Sequence, residues 1–483
     1  MSSEDELLST NFGQQVISGT TARVITAAIG FVGSIYFARF LGPTVFGAVS
    51  LILALSDLAA RPIHGVGAAA KKRVSERDSL RGPLLTILLG VSVGWSILIT
   101  IIFIPLNNII NSMISVDYAS LYLIGLIAAT GTFTILGLLV TGRGKVSEFL
   151  WTNAIRKSGA VALQLALIIS GFKVLGWALG LLIPTIGLII ILIALIDAKP
   201  AVPSYSLLRS IWDFARFSSI SSLLYAAYSR LDLLLIGALV GTTAAGYYRV
   251  GWQITMLSIF LAETISDTIM PKISYLHQNG NSIELVDEIE KGLDFAPIIS
   301  IPILFGAIGI GGPLITIIYG EDFSPAVSLV IFIAFIRVFM SLSNPVMAAI
   351  EGIDRPEVEL RLTTVGLVFN LLFGIPLLYF FGPISLIIVS GFAELIRVSG
   401  GVLYLMRKFD DFSPTSRLHT IQLIAGIFMS VFLIFIQNSI VVDSIYSLSG
   451  MILCGGFLYA VILISMSNRV RNLMRAGLPI PSE

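Results

Sequence analysis

Residues 228–248 read YSRLDLLLIGALVGTTAAGYY. Two features of this stretch organise everything around it. Arg230 and Asp232 stand inside an otherwise apolar run, where insertion of one charge into a bilayer costs roughly 2.5 to 3.5 kcal/mol. Charges placed there need a partner or a purpose. Gly241 is followed five positions later by Gly246, and the same glycine pair occurs 199 residues earlier, as Gly42 and Gly47 in RFLGPTVFG (39–47). The later copy marks the start of a second half of the chain.

The composition around this stretch is that of a membrane protein. Of 483 residues, 56% are hydrophobic and 12% charged, with a mean hydropathy of +0.93; the charged share is about half that of a soluble domain. A net charge of +1 excludes a strongly basic nucleic-acid binder. The lone Cys454 lies in an apolar run, which rules out an intrachain disulfide and points to no thiol metal site. His64, His277 and His419 are too scattered to read as metal ligands. The N-terminal SSEDE lacks the basic start and cleavage site of a signal peptide, so the first helix is expected to remain in the mature protein.

Runs of about 20 apolar residues, enough to cross a bilayer, fall at 17–40, 44–66, 83–105, 118–141, 149–171, 174–196 and 213–240, then at 244–269, 295–319, 326–350, 358–380, 384–406, 418–437 and 445–466. Fourteen crossings are therefore expected, making an all-α polytopic membrane protein. Lys and Arg collect in cytoplasmic loops, and alternate connections here carry them: Lys71, Lys72, Arg73, Arg77 and Arg81; Arg143 and Lys145; Lys199 and Arg209; Lys272 and Lys291; Arg355; Arg407, Lys408 and Arg417; and Arg469, Arg471 and Arg475 in the tail. The intervening loops are nearly free of them, Lys173 excepted. Both termini are thus expected in the cytoplasm. No connection is long enough to be a domain. Residues 281–291 and 468–478 suit short amphipathic helices lying on the membrane.

The first and seventh runs each open a six-helix set and enter from the same side, the arrangement of a parallel repeat with its axis along the membrane normal. The expected organisation is 1–205 (spans 1–6), 206–410 (spans 7–12), and 411–483 (two further spans and a tail).

Depth along each helix, at 1.5 Å per residue, decides which interior charges can meet. Arg23 lies on the first span toward the cytoplasmic end, Arg230 near the middle of the seventh, Arg337 near the middle of the tenth, and Arg249 near the outer end of the eighth, level with Asp232. Asp57 and Arg61, four apart, and Glu394 and Arg397, three apart, are spaced for ion pairs within one helix. Arg39, Arg156 and Lys157 are placed to snorkel toward the interfaces. That leaves Arg23, Arg230, Arg249 and Arg337, spread over both halves. A planar guanidinium gives two parallel charge-assisted hydrogen bonds and never deprotonates, so a cationic cavity calls for an anionic substrate, phosphate above all. For any one arginine a structural partner such as Asp57 or Asp232 competes with ligand contact. Glu263 and Asp267, four apart on the eighth span, are a candidate for a proton or Na⁺ step or simply a solvated rim. Asn344-Pro345 and Asn370 read as packing or hinge features.

Several stretches in order, YFARFLGPTVFGAVSLI (36–52), YSRLDLLLIGALVGTTAAGYYRV (228–250), IMPKISYL (269–276), ITIIYGEDFSPAV (315–327), AAIEGIDRPEVELR (348–361) and GLVFNLLFGIPLLYFFGP (366–383), resemble the polysaccharide-biosynthesis, O-antigen-type flippases of the multidrug, oligosaccharidyl-lipid and polysaccharide exporter superfamily. The likeness runs from about residue 10 to 408. It implies two six-helix lobes around a central cavity plus two C-terminal helices, and export, by alternating access, of an oligosaccharide linked to polyprenyl phosphate or pyrophosphate. The expectation is then a plasma-membrane carrier with no catalytic residues, no cofactor and, from the lone Cys454 and scattered histidines, no metal; coupling to an H⁺ or Na⁺ gradient and glycan-assembly machinery as a partner stay open. The resemblance matches its cationic cavity to Arg23, Arg230, Arg249 and Arg337; Asp57, Asp232 and Glu263, read from their own positions, are the coupling or structural partners. A small-molecule exporter of the same superfamily is the alternative. A membrane glycosyltransferase or polymerase is disfavoured, since the external loops are too short and too poor in charge for an active site.

Overall fold

The computed structural model describes residues 3–477, with side chains from 18 to 472. Among them there are helices and no strands. Eleven helices are long and apolar enough to cross a membrane, and the pair Thr242–Ile254 and Leu257–Gln278, bent by 53°, makes a twelfth. Two of the eleven stretches, Ser18–Glu76 and Val146–Ile196, run to 59 and 51 residues, more than twice what one crossing needs. Each is broken midway, at Gly42 (φ 71°) and Gly171 (φ 95°). Each therefore crosses twice, which gives the fourteen crossings expected from the sequence.

The chain divides into two compact units, Met1–Gly246 and Tyr247–Glu483. The first contains α1 (Ser3–Glu76), α2 (Arg81–Phe103), a short α3 (Asn107–Ile114), α4 (Ala119–Gly142), α5 (Val146–Leu167), α6 (Lys173–Ile196) and α7 (Tyr205–Leu239). Here α1 packs along α7, α4 and α5, and α5 along α6. Where α1, α2, α4, α6 and α7 converge, Ile63, Leu84, Leu88, Leu136, Val140, Leu192 and Ile211 form a buried apolar core. The outward faces of α2 and α7 expose Val93, Ile97, Trp212 and Phe217, as helices bordering lipid must.

Within this unit the two copies of the glycine pair touch. Gly42 and Gly241 both take positive φ, 71° and 121°, a region that side chains with a Cβ rarely enter. The turns they make bring Thr44 Oγ1 within 2.8 Å of Thr243 Oγ1. Gly47 and Gly246 are glycines for a different reason. A Cβ on Gly47 would lie 1.8 Å from the Thr242 carbonyl oxygen, and one on Gly246 would lie 2.1 Å from that of Pro43. The second glycine of each copy thus admits the backbone of the other. The repetition at a spacing of 199 residues is the trace of one reciprocal contact. Further along the same pair of helices, Gly65 accommodates Ser219, whose hydroxyl donates to the Pro62 carbonyl at 2.7 Å.

The second unit holds α8 from residue 247 onward (Thr242–Ile254), α9 (Leu257–Gln278), α10 (Ser282–Phe295), α11 (Ser300–Tyr319), α12 (Ala326–Gly352), α13 (Pro356–Phe369), α14 (Ile375–Phe381), α15 (Pro383–Lys408), α16 (Arg417–Ser439), α17 (Ile445–Met466) and α18 (Asn468–Gly477). Residues 281–291 form the amphipathic helix expected of them. Asn281 caps α10 by accepting from the Glu284 amide, Leu285, Ile289 and Leu293 are buried, and Glu288 on the outer face pairs with Lys272 at 2.8 Å. At its far end Asp294, 2% exposed, is held from three directions. Arg469 of α18 pairs with its carboxylate, Gln422 of α16 donates to its carbonyl at 2.9 Å, and His419 Nε2, which meets the neighbouring Leu293 carbonyl at 3.0 Å, lies 4.0 Å from its Oδ1. The surface helix α10 is in this way latched to the C-terminal helices. Gln422→Leu keeps the volume but leaves that buried carbonyl without its donor. It is expected to destabilise by about 1 to 3 kcal/mol and to lower the thermal midpoint of the purified protein. Of the second amphipathic stretch, 468–478, Leu478 lies outside the described residues, as does the side chain of Arg475.

Candidate anion-binding site

Asp57 lies on the second crossing of α1 and has two arginine partners. Arg61, one turn on, places Nη2 2.9 Å from both carboxylate oxygens. Arg230, on α7, places Nε 3.4 Å from Oδ2. These side chains are only a quarter to a third exposed. One carboxylate for two guanidinium groups leaves the cluster with a surplus positive charge. Arg230 meets Asp57 through Nε, and among the described residues its terminal fork, Nη1 and Nη2, makes no hydrogen bond or ion pair. Asp57 therefore fixes the direction of Arg230 while its two best phosphate donors stay available. The expected ion pair between Asp57 and Arg61 is present, but it is not closed: it recruits Arg230 from 173 residues away. Asp232, two residues beyond Arg230, is half-buried.

Arg23 is exposed on α1 and lines a cavity of about 160 Å³ with Thr26, Ala27, Leu150, Asn153 and Lys157. The first crossing of α1 runs parallel to α5 here. Ser18 bonds Ser147 and Trp151 at 2.9 and 2.8 Å at the inner end, and Gly33 abuts Val161 further out. Arg156 and Lys157, expected to snorkel, do not. The Arg156 guanidinium lies 4.7 Å from the Phe133 ring, donates to Asn153 Oδ1 at 3.2 and 2.9 Å, and reaches Thr185 at 3.4 Å. Lys157 points across to α1, where its Nζ would be 3.5 Å from a Cβ on Gly30. Both sit 10 and 11 residues into α5, about 15 Å from its inner end and beyond their reach to it.

In the second unit Arg337 is 5% exposed, its guanidinium 3.7 Å from the centre of the Trp252 ring, which itself stacks on Tyr248. Nη1 lies 3.9 Å from Met340 Sδ, and Nε has no hydrogen-bond partner among the described residues. This arginine is stacked and buried. Arg249 is half-buried on α8, and Glu263 and Asp267 are exposed on α9. Glu394 and Arg397 pair at 3.3 Å, both largely buried. Asn370 donates to Ser390 at 2.7 Å, tying the π-helical turn Asn370–Gly374 to α15, the packing role expected of it. Among the described residues no group of His, Cys, Asp and Glu is placed to hold a metal ion. The residues missed in the sequence are Asn153 and Lys157 as cavity-lining groups and Arg61 as half of a shared pair. The signal for Lys157 was its depth, too great for snorkelling.

Fourteen crossings, a reciprocal glycine contact and interior arginines sharing one carboxylate define a polytopic helical membrane protein of the transporter class. The chain belongs to the polysaccharide biosynthesis protein family, which matches residues 36–328. It is similar to the probable flippase AglR of Haloferax volcanii, 24% identical over 455 residues covering 93% of this chain and 95% of the relative. It is also similar to that organism's probable low-salt glycan biosynthesis flippase Agl15, 23% identical over 78% of this chain and 79% of the relative. Among solved structures the lipid II flippase MurJ in an inward closed conformation superposes with a TM-score of 0.71, covering 95% of this chain and all of that one at 16% identity. The fold is shared with MurJ.

Proposed function

We propose that the protein is a flippase that carries an oligosaccharide linked to a polyprenyl phosphate or pyrophosphate across the cytoplasmic membrane for glycan assembly, with both termini in the cytoplasm. One observation carries this reading. Arg230 is held through Nε by a carboxylate it shares with Arg61, and its forked end remains available within the membrane. Moving a phosphate and its sugars through hydrocarbon means stripping their water, which is prohibitive; interior guanidinium groups replace that water without a covalent step. The lipid tail stays in the bilayer while the head crosses. Affinity for the phosphate must differ between the inward-open and outward-open states, because a ligand shifts an equilibrium only through differential binding. Asp57, Asp232 and Glu263 are the acids we assign to coupling with an H⁺ or Na⁺ gradient or to structural pairing, and glycan-assembly enzymes are the natural partners.

Deletion of the gene in its own host tests this. Lipid-linked glycan is expected to accumulate on the cytoplasmic side, measured by mass spectrometry, while glycan at the cell surface is lost. An unchanged pool in a host lacking a second transporter overturns the flippase reading in favour of small-molecule export.

A further inference from the structure

We infer that the stack of Arg337 on Trp252 is a latch on a hinge in the eighth span, and that Arg337 serves transport as a positioning residue, by holding and releasing this bend, instead of as a ligand of the phosphate. The latch rests on the proposed function only for the cycle it serves.

The contact falls at a bend. Trp252 stands in the last turn of α8, and the chain turns by 53° between α8 and α9. Two successive turns of α12 meet that last turn. Ile333 fills the space that Gly251 leaves, 2.7 Å from where a Cβ would stand, and Arg337, one turn on, lies 3.7 Å from the centre of the Trp252 ring. No proline stands between residues 248 and 270, so the bend is not fixed by a missing backbone donor. Buried hydroxyls hold it instead. Thr255 donates to the Gly251 and Trp252 carbonyls at 2.9 and 3.3 Å, and Ser258 donates to the Thr255 carbonyl. Such back-bonding bends a helix and can be exchanged for the regular ladder, whereas a proline bend is permanent.

The charge has no use in a static contact. Arg337 is 5% exposed, and among the described residues it makes no ion pair and its Nε has no hydrogen-bond partner. A methionine would pack on the indole without desolvating an ion, and apolar replacement of a buried charge is often neutral or stabilising. A guanidinium suits a side chain with two homes, and Glu263 supplies the second. This acid is exposed on α9, two turns past the bend, and its field reaches Arg337. The two partners of the cation therefore sit on opposite arms of the hinge, Trp252 before it and Glu263 after it. A change in the bend trades one against the other: stacking favours the bent form, and a guanidinium solvated beside Glu263 favours a straighter one.

Hydrogen exchange of the purified full-length protein in nanodiscs, read on peptides covering the bend, tests the latch. Arg337→Met and Trp252→Leu are each expected to speed exchange there about thirtyfold, the equilibrium equivalent of one desolvated cation–π contact. Peptides from α16 should keep their rates, and the thermal midpoint of Arg337→Met should stay level or rise, which separates the effect from misfolding. Trp252→Phe, which keeps an aromatic face, is expected to lie between, and Glu263→Gln to slow exchange below that of the unaltered protein. Surface glycan is expected to be lost in Arg337→Met and partly restored in Arg337→Lys. Unchanged exchange in both Arg337→Met and Trp252→Leu overturns the latch. Loss of farnesyl pyrophosphate binding in Arg337→Met, with Trp252→Leu binding normally, also overturns it and makes Arg337 a phosphate ligand. Faster exchange with undiminished surface glycan overturns its place in the cycle. Latch-dependent exchange in a protein whose deletion leaves lipid-linked glycan unchanged retains the latch and sinks the flippase reading; the opposite pair of results does the reverse.

Discussion

Alanine at position 230 is expected to abolish export of lipid-linked glycan while leaving the amount of protein in the membrane unchanged. Arg230 is one-third exposed and touches Asp57 through one nitrogen at 3.4 Å, so its removal returns Asp57 to a closed pair with Arg61 and opens no cavity in the core. What disappears is the forked end proposed to take the phosphate. Lysine at this position keeps the charge but cannot both reach Asp57 and present two parallel donors, and a small residual activity is expected. Asp57→Ala should fail differently. Two arginines lose their shared counterion; breaking a buried pair by removing one partner costs about 3 to 5 kcal/mol, somewhat less at the partial exposure found here. The expected result is loss of the protein from the membrane fraction. Quantitative immunoblotting beside surface-glycan measurement separates the two patterns. Normal export by Arg230→Ala would falsify the role given to that residue.

The second large effect is expected at the reciprocal glycine contact. In a background with Cys454→Ser, the double substitution Thr44→Cys, Thr243→Cys places two thiols where hydroxyl oxygens stand 2.8 Å apart. Oxidation is expected to cross-link them nearly completely and to stop transport, with recovery on reduction. Full cross-linking with undiminished transport means that this contact never opens during the cycle. Gly47→Ala puts a methyl group 1.8 Å from the Thr242 carbonyl oxygen, so the two turns must separate. A large fall in thermal midpoint is the expected outcome, measured on the detergent-solubilised protein.

The apolar runs and the alternation of basic loops make the fourteen crossings legible from sequence, because each run is a local property of about 20 residues. Gly42 and Gly47 with Gly241 and Gly246 were legible as a repeat, but not as a contact: the spacing of 199 says that two turns are alike, and only packing says that they meet. The site was legible by kind and not by partner. That Asp57 and Arg61 pair follows from their spacing on one helix, but the addition of Arg230 depends on how α1 and α7 are rotated against each other, which the sum of many apolar contacts sets. Arg156 shows the same limit. Its position in a span suggested a side chain stretched to the interface, and the structure folds it onto Phe133, a ring on α4 that no reading of α5 alone could supply.

The close approach at Gly47 and Gly246 also constrains the genetics of the chain. In an ordinary core, an enlarged side chain can be rescued by trimming the one it strikes. Here a Cβ at either glycine strikes a main-chain oxygen, of Thr242 or of Pro43, which no substitution can trim. A suppressor screen begun from Gly47→Ala should therefore return no revertants at position 246 or 242. Second-site rescue would have to arise where the flanking helices are anchored, at positions that allow α1 to shift as a body.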